Sequence, residues 1–95
     1  MGTAAEEVVV YTRPGCPFCT LLRRGLRKRG LQFQEINIWQ DSAAAAVVRS
    51  IANGNETVPT VVVGEWRAVN PSADEVLAAV AEHAPALLPG GRTAG

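Results

Sequence analysis

The sequence predicts an α/β domain of order βαβαββα, with a mixed four-stranded sheet and helices on both faces. Three observations predict it. The β-branched runs Val8-Val9-Val10 and Thr60-Val61-Val62-Val63 have the length and composition of buried strands. Three stretches of helical period lie between and after them. The leading strand, helix and second strand form a βαβ unit, so those strands run parallel through a right-handed crossover, and a closing hairpin adds antiparallel pairing.

The first strand runs from Glu7 to Tyr11 and ends at Thr12, where Pro14-Gly15 breaks it. The first helix carries Phe18, Leu21, Leu22, Gly25 and Leu26 as an apolar stripe. Pro17 suits its first turn, where a missing N–H costs nothing. Arg27, Lys28 and Arg29 suit its last turn, and Gly30 follows as the stop. Leu31 to Ile38 reads as a second strand of irregular phase. Asp41 or Ser42 caps a second helix, with Ala44, Val47, Val48 and Ile51 inward, and Asn53-Gly54-Asn55 ends it. Val58-Pro59 leads into the third strand, Thr60 to Val63. Gly64-Glu65 turns the chain into a fourth, Trp66 to Val69. Ser72 and Glu75 have the spacing of a capping box for a third helix. Its inner face is Ala73, Val76, Leu77, Val80 and Ala84, and Pro85 stops it. Residues 1–84 read as one domain and 85–95 as a loose tail.

The chain has 95 residues, enough for one modest core, with nine basic and nine acidic side chains and a formal net charge of zero. No global field argues for nucleic acid or an anionic membrane. The apolar runs are too short to span a bilayer. Residues 1–7 lack the basic and apolar regions of a secretory signal, so a cytoplasmic monomer with reduced thiols is expected.

The chemistry concentrates in Thr12-Arg13-Pro14-Gly15-Cys16-Pro17-Phe18-Cys19, which holds both cysteines of the chain. Two residues between them put the sulfurs on one helical turn. Cys16 falls at the helix N-terminus, where unpaired N–H groups and the dipole favour a thiolate, and Arg13 adds charge. Cys19, one turn inside, reads as a resolving thiol that titrates above the ordinary range. A zinc site needs about four ligands, and only His83 could join the pair, so no protein metal site is expected. A cluster bridging two chains and a pair of inert buried cysteines stay open on the residues alone.

With Thr57-Val58-Pro59 some forty residues on, the chain resembles the glutaredoxin family of the thioredoxin fold over roughly residues 7–84. The resemblance implies a cis Val58–Pro59 bond, with Pro59 beside the nucleophile and the main chain of Val58 pairing with a bound thiol. It implies that Arg13 meets a carboxylate of glutathione and that Asp74 binds glutathione's amino end. Phe18 is expected on the rim of a small groove. The family's Gly-Gly is Pro71-Ser72 here, and Asn70 to Val76 is most similar to the mycoredoxins. The implied activity is a thiol–disulfide oxidoreductase with no bound cofactor. It reduces mixed disulfides of proteins with a low-molecular-weight thiol, mycothiol or glutathione. Pro17-Phe18 and Arg13 also suit an NrdH-like redoxin, which carries electrons from a flavin disulfide reductase, thioredoxin reductase, to ribonucleotide reductase. An iron–sulfur-binding module is the third reading, and Pro17 argues against it.

Of the remaining residues, Trp39 and Trp66 are expected to pack at strand ends, and His83 to lie exposed on the last helix. The basic run Arg23 to Arg29 reads as the solvated face of the first helix or as a docking surface for an acidic partner.

Overall fold

The computed structural model describes residues 7–89, so the expectations for residues 1–6 and from 90 onward lie outside the described residues. Four strands, β1 (Val8–Thr12), β2 (Gln34–Asn37), β3 (Thr60–Val63) and β4 (Trp66–Val69), alternate with helices α1 (Pro17–Lys28), α2 (Ser42–Ile51) and α3 (Ala73–His83) in the order βαβαββα. The sheet order is β2-β1-β3-β4. β1 pairs parallel with β2, Val10 opposite Glu35, and antiparallel with β3, Val10 opposite Val61. β4 returns antiparallel on β3 through a turn at Gly64, whose φ of 59° suits glycine.

β1 is central and covered on both faces, which is why its sequence is a continuous apolar run rather than an alternation. Val8 and Val10 join Leu22 and Leu26 of α1, Val61 and Val63, and Val76, Ala79 and Val80 of α3 in one core. Tyr11 faces the other way, into a second core with Ile38, Ala44, Ala45, Val48, Val58 and both cysteines. Each fully buried Val or Leu contributes about 1.5–3 kcal/mol relative to exposure. The helices on one face come together because α1 has Gly25 at the crossing. A Cβ there would lie 3.0 Å from Ala73 Cβ.

Several inward faces differ from the periodic reading. In α1 the buried residues are Cys19, Leu22 and Leu26, while Leu21 is 60% exposed. The stripe is wider than the face that fits under the sheet, so its edge stays outside. In α2 Ala44 and Val48 are buried as expected, Ala45 is buried with them, and Val47 at the edge of the stripe is exposed. Only Gln34–Asn37 of the expected second strand pairs with β1, and Leu31 and Ile38 are buried outside the ladder. Trp39 does not pack at a strand end: it is 63% exposed in the turn after β2, with Arg13 over its ring. Trp66 packs partly buried against the α1–α3 core. Ordered structure also continues past the expected boundary at 84. Pro85–Leu87 forms a 3-10 turn, and Leu87 and Leu88 pack on the same core.

Capping follows the sequence. Asp41 accepts from the N–H of Ala44 at the start of α2. Ser72 and Glu75 close a reciprocal box at the start of α3, satisfying two of the helix's unpaired donors. No helix among the described residues is long and apolar enough to cross a membrane.

Candidate active site

The reactive loop follows from where β1 ends. Pro14 and Gly15 stop the strand, Gly15 with φ 75°, and turn the chain into α1. Cys16 then occupies the N-cap in extended conformation, with Pro17 at the first helical position. The N–H of Cys19 donates to Cys16 Sγ at 3.2 Å, and the N–H of Thr20 donates to Cys16 O at 3.2 Å. A sulfur so placed satisfies one of the unpaired N–H groups at the start of α1.

Val58–Pro59 is a cis peptide bond, and it brings Val58 O to 3.8 Å from Cys16 Sγ across 42 residues of sequence. Cys16, Cys19 and Val58 belong to one buried cluster, with Pro59 beside them in the chain. Both cysteines are free. Cys16 keeps 5% exposure and Cys19 has none. Burial pushes the Cys19 thiol up to about 12, and its contact with the Cys16 sulfur pushes the same way. The backbone of Arg13 and the charge of Arg23 oppose this in part. Both sulfurs are thus buried free thiols, and Cys16 Sγ also caps α1 by accepting the Cys19 N–H.

Two clefts adjoin the loop. One, of about 420 Å³, lies between α1 and the segment before α3. Phe18, Leu21, Asn70, Pro71, Ser72 and Glu75 are on its walls. Phe18, 57% exposed, stands there as expected. The other, of about 300 Å³, is lined by Thr12, Arg13, Pro14, Arg23, Glu35 and Asn37. Arg13 therefore borders the polar cleft on the β2 side, its guanidinium 5.8 Å from the centre of the Trp39 ring, a cation–π distance. Asp74 joins neither cleft. Arg29 Nε lies 3.1 Å from its Oδ1, and the same guanidinium donates to Gly25 O. The structure thus gathers Cys16, Cys19, Val58 and Pro59, places Phe18 and Arg13 in flanking clefts, and engages Asp74 elsewhere.

The sequence reading missed the Arg23–Glu35–Thr12 network. Arg23 Nε donates to Glu35 Oε1 at 2.9 Å, and Thr12 Oγ1 donates to Oε2 at 2.9 Å. The Arg23 guanidinium holds the Glu35 carboxyl below the usual range, against the opposing pull of burial. Arg23 lies four residues after Cys19, a spacing visible in the sequence. Its carboxylate partner comes from the β1–β2 register, which the sequence does not specify. Among the described residues, no group of three or more His, Cys, Asp or Glu is placed to hold a metal ion.

A thiol cap and a buried second thiol, set against a cis-proline loop on this mixed sheet, define a thiol–disulfide oxidoreductase of the thioredoxin fold. Comparison with known proteins gives the family. The glutaredoxin family model matches residues 8–66, and the chain belongs to the glutaredoxin family. It is 40% identical over 79 residues to a Mycobacterium tuberculosis protein named as a glutaredoxin, covering 82% of this chain and 92% of that one. It is 38% identical over 76 residues to mycoredoxin 1 of Corynebacterium glutamicum, covering 79% and 94%. Among solved structures, the glutaredoxin-like NrdH-redoxin of Escherichia coli aligns with a TM-score of 0.63 at 29% identity, over 73% of this chain and 88% of that one.

Proposed function

We propose that this oxidoreductase reduces mixed disulfides between proteins and mycothiol, with Cys16 as the nucleophile. The observation that carries the reading is the Cys16 sulfur, which accepts the Cys19 N–H beside the Val58 carbonyl. A cysteine thiolate there attacks the thiol-derived sulfur of the mixed disulfide. The protein's own sulfur leaves as a thiolate and takes a proton from water, and the low-molecular-weight thiol is left disulfide-bonded to Cys16. A second thiol molecule then attacks this adduct. It releases the symmetrical disulfide and regenerates the Cys16 thiolate, so one free thiol is consumed for each protein thiol restored. Alternatively Cys19 loses its proton and attacks, which gives a Cys16–Cys19 disulfide and frees one thiol. Burial of the Cys19 thiol disfavours its ionisation and so favours the first route near neutral pH.

The thiol is assigned from the region before α3. Glutathione would need Asp74 for its amino end, and Asp74 is paired with Arg29. Pro71-Ser72 replaces a flexible Gly-Gly beneath the groove that Phe18 lines. The Arg29 pair disfavours a thiol that needs an ammonium anchor, and the similarity to mycoredoxin 1 points the same way. Phe18 and the main chain of Val58 are the contacts assigned to the thiol, and Arg13 is assigned to its polar end.

The similarity to NrdH-redoxin, together with Arg13 before the pair, supports a second reading as an electron carrier recycled by thioredoxin reductase. One experiment separates the two. NADPH oxidation is followed with a protein–mycothiol mixed disulfide, using either mycothiol with its disulfide reductase or thioredoxin reductase alone. Sustained turnover only with mycothiol is expected. Turnover with thioredoxin reductase alone would replace the proposal by the second reading. A Cys16→Ser protein that keeps full activity would overturn both.

A further inference from the structure

We infer that the solvent face of α1 is a docking strip for the protein half of the substrate, selecting proteins with acidic residues near the modified cysteine. The inference rests on the oxidoreductase reading and adds the partner's chemistry. Pro17, Leu21, Arg24 and Lys28 follow at i, i+4, i+7 and i+11, so they share one face of the helix, and all four are exposed. The strip starts beside Cys16 and runs about 16 Å along the axis at the α-helical rise. Its near end is apolar, with Leu21 60% exposed, and its far end is cationic.

The cations on this strip are distinct from their neighbours. Arg23 pairs with Glu35, Arg29 pairs with Asp74, and Arg27 lies over the Phe33 ring. Arg24 and Lys28 take part in no ion pair among the described residues, and α1 contains no acidic side chain that could neutralise them. The chain's net charge is zero, so the attraction is local to this face. A protein brought to Cys16 by its own disulfide necessarily lies over neighbouring surface, and one that covers Leu21 meets Arg24 and Lys28 next. Acidic side chains on that protein complement them, while basic ones are repelled, which gives selection as well as faster encounter.

The test uses two peptides, each with one cysteine held as a mixed disulfide with the same small thiol, flanked by Glu residues in one and Lys residues in the other. The wild-type protein should reduce the acidic peptide with a kcat/KM higher by roughly fivefold, the size that two exposed charge pairs support. The preference should shrink as NaCl is raised. Arg24→Glu/Lys28→Glu should invert it while leaving reduction of the mixed disulfide of 2-mercaptoethanol unchanged, which also reports that the variant is folded. Equal rates for the two peptides, or a preference that survives in the double variant, would overturn the docking strip. No reduction of the small disulfide by the wild-type protein would instead overturn the oxidoreductase reading, and this inference with it.

Discussion

Arg29 reaches across from the end of α1 to the Asp74 carboxylate on α3, Nε to Oδ1 at 3.1 Å, while its Nη1 donates to Gly25 O. The acid the family resemblance assigns to substrate thus also makes an exposed ion pair between the two helices. The pair is exposed and contributes below about 1 kcal/mol to stability.

Asp74→Ala should therefore leave KM for mycothiol within roughly twofold of wild type, because only a weak surface pair is lost. Arg29→Ala should lower KM for glutathione, since it frees the carboxylate for an ammonium group. Steady-state kinetics with each thiol check both. A large rise in mycothiol KM on replacing Asp74 would return that residue to the substrate site.

The Cys19 thiol makes stability fall in alkali. Its folded value, about 12, lies above the ordinary thiol value, so between roughly pH 9 and 12 the unfolded chain has lost a proton that the folded chain keeps. Fewer protons bound in the unfolded state means unfolding becomes easier as pH rises, by up to about 1.4 kcal/mol per pH unit. Tyr11 is also pushed up, chiefly by burial, and adds a slope of the same sign. The difference between wild type and Cys19→Ala in urea unfolding under reducing conditions isolates the cysteine: the variant should show the shallower alkaline decline.

Glu35 acts at the other end of the pH scale. Its carboxyl is held low, mainly by the Arg23 hydrogen bond, so its contribution is present above the unfolded glutamate value and lost as pH falls through the folded one. Glu35→Gln should cost about 0.5–1 kcal/mol at pH 7, a size limited by partial exposure, and should flatten the decline toward acid. Thermal melts from pH 3 to 7 measure it, and the loss should diminish in high salt.

Gly25→Ala tests the helix crossing. The new Cβ would meet Ala73 Cβ at 3.0 Å. Alanine favours a helix over glycine by up to about 1 kcal/mol, yet separating α1 from α3 costs more, leaving a net loss of about 1 kcal/mol. Gly25→Ala with Ala73→Gly should recover most of it, a coupling that a double-mutant cycle reads directly.

The sequence is most legible where one residue type has one physical use. The valine runs, the capping box at Ser72 and Glu75, the turn at Gly64 and Cys16 at a helix start could all be read locally. Leu21 and Val47 could not, because a periodic stripe tells that a helix has an apolar side but not how far the sheet covers it. Trp39 looked like packing by composition, and only the turn after β2 puts it outside beneath Arg13. The pairs Arg23–Glu35 and Arg29–Asp74 join residues 12 and 45 positions apart, so they depend on strand register and helix crossing. Cys16 at the start of α1 and the cis Val58–Pro59 bond lie where the motif implied, whereas the Arg29–Asp74 pair depends on a helix crossing that the motif does not carry.

One sulfur atom both caps α1 and is assigned the attack on disulfides, so reactivity and folding are thermodynamically joined in it. A thiolate is a stronger acceptor for the Cys19 N–H than a sulfur already in a disulfide. An adduct at Cys16 would therefore weaken this cap of α1, and its release would restore it. Whatever stabilises the cap also favours the reduced protein, and so makes its oxidised form the better oxidant. Substitutions in the first turn of α1 consequently cannot tune melting temperature and redox poise independently.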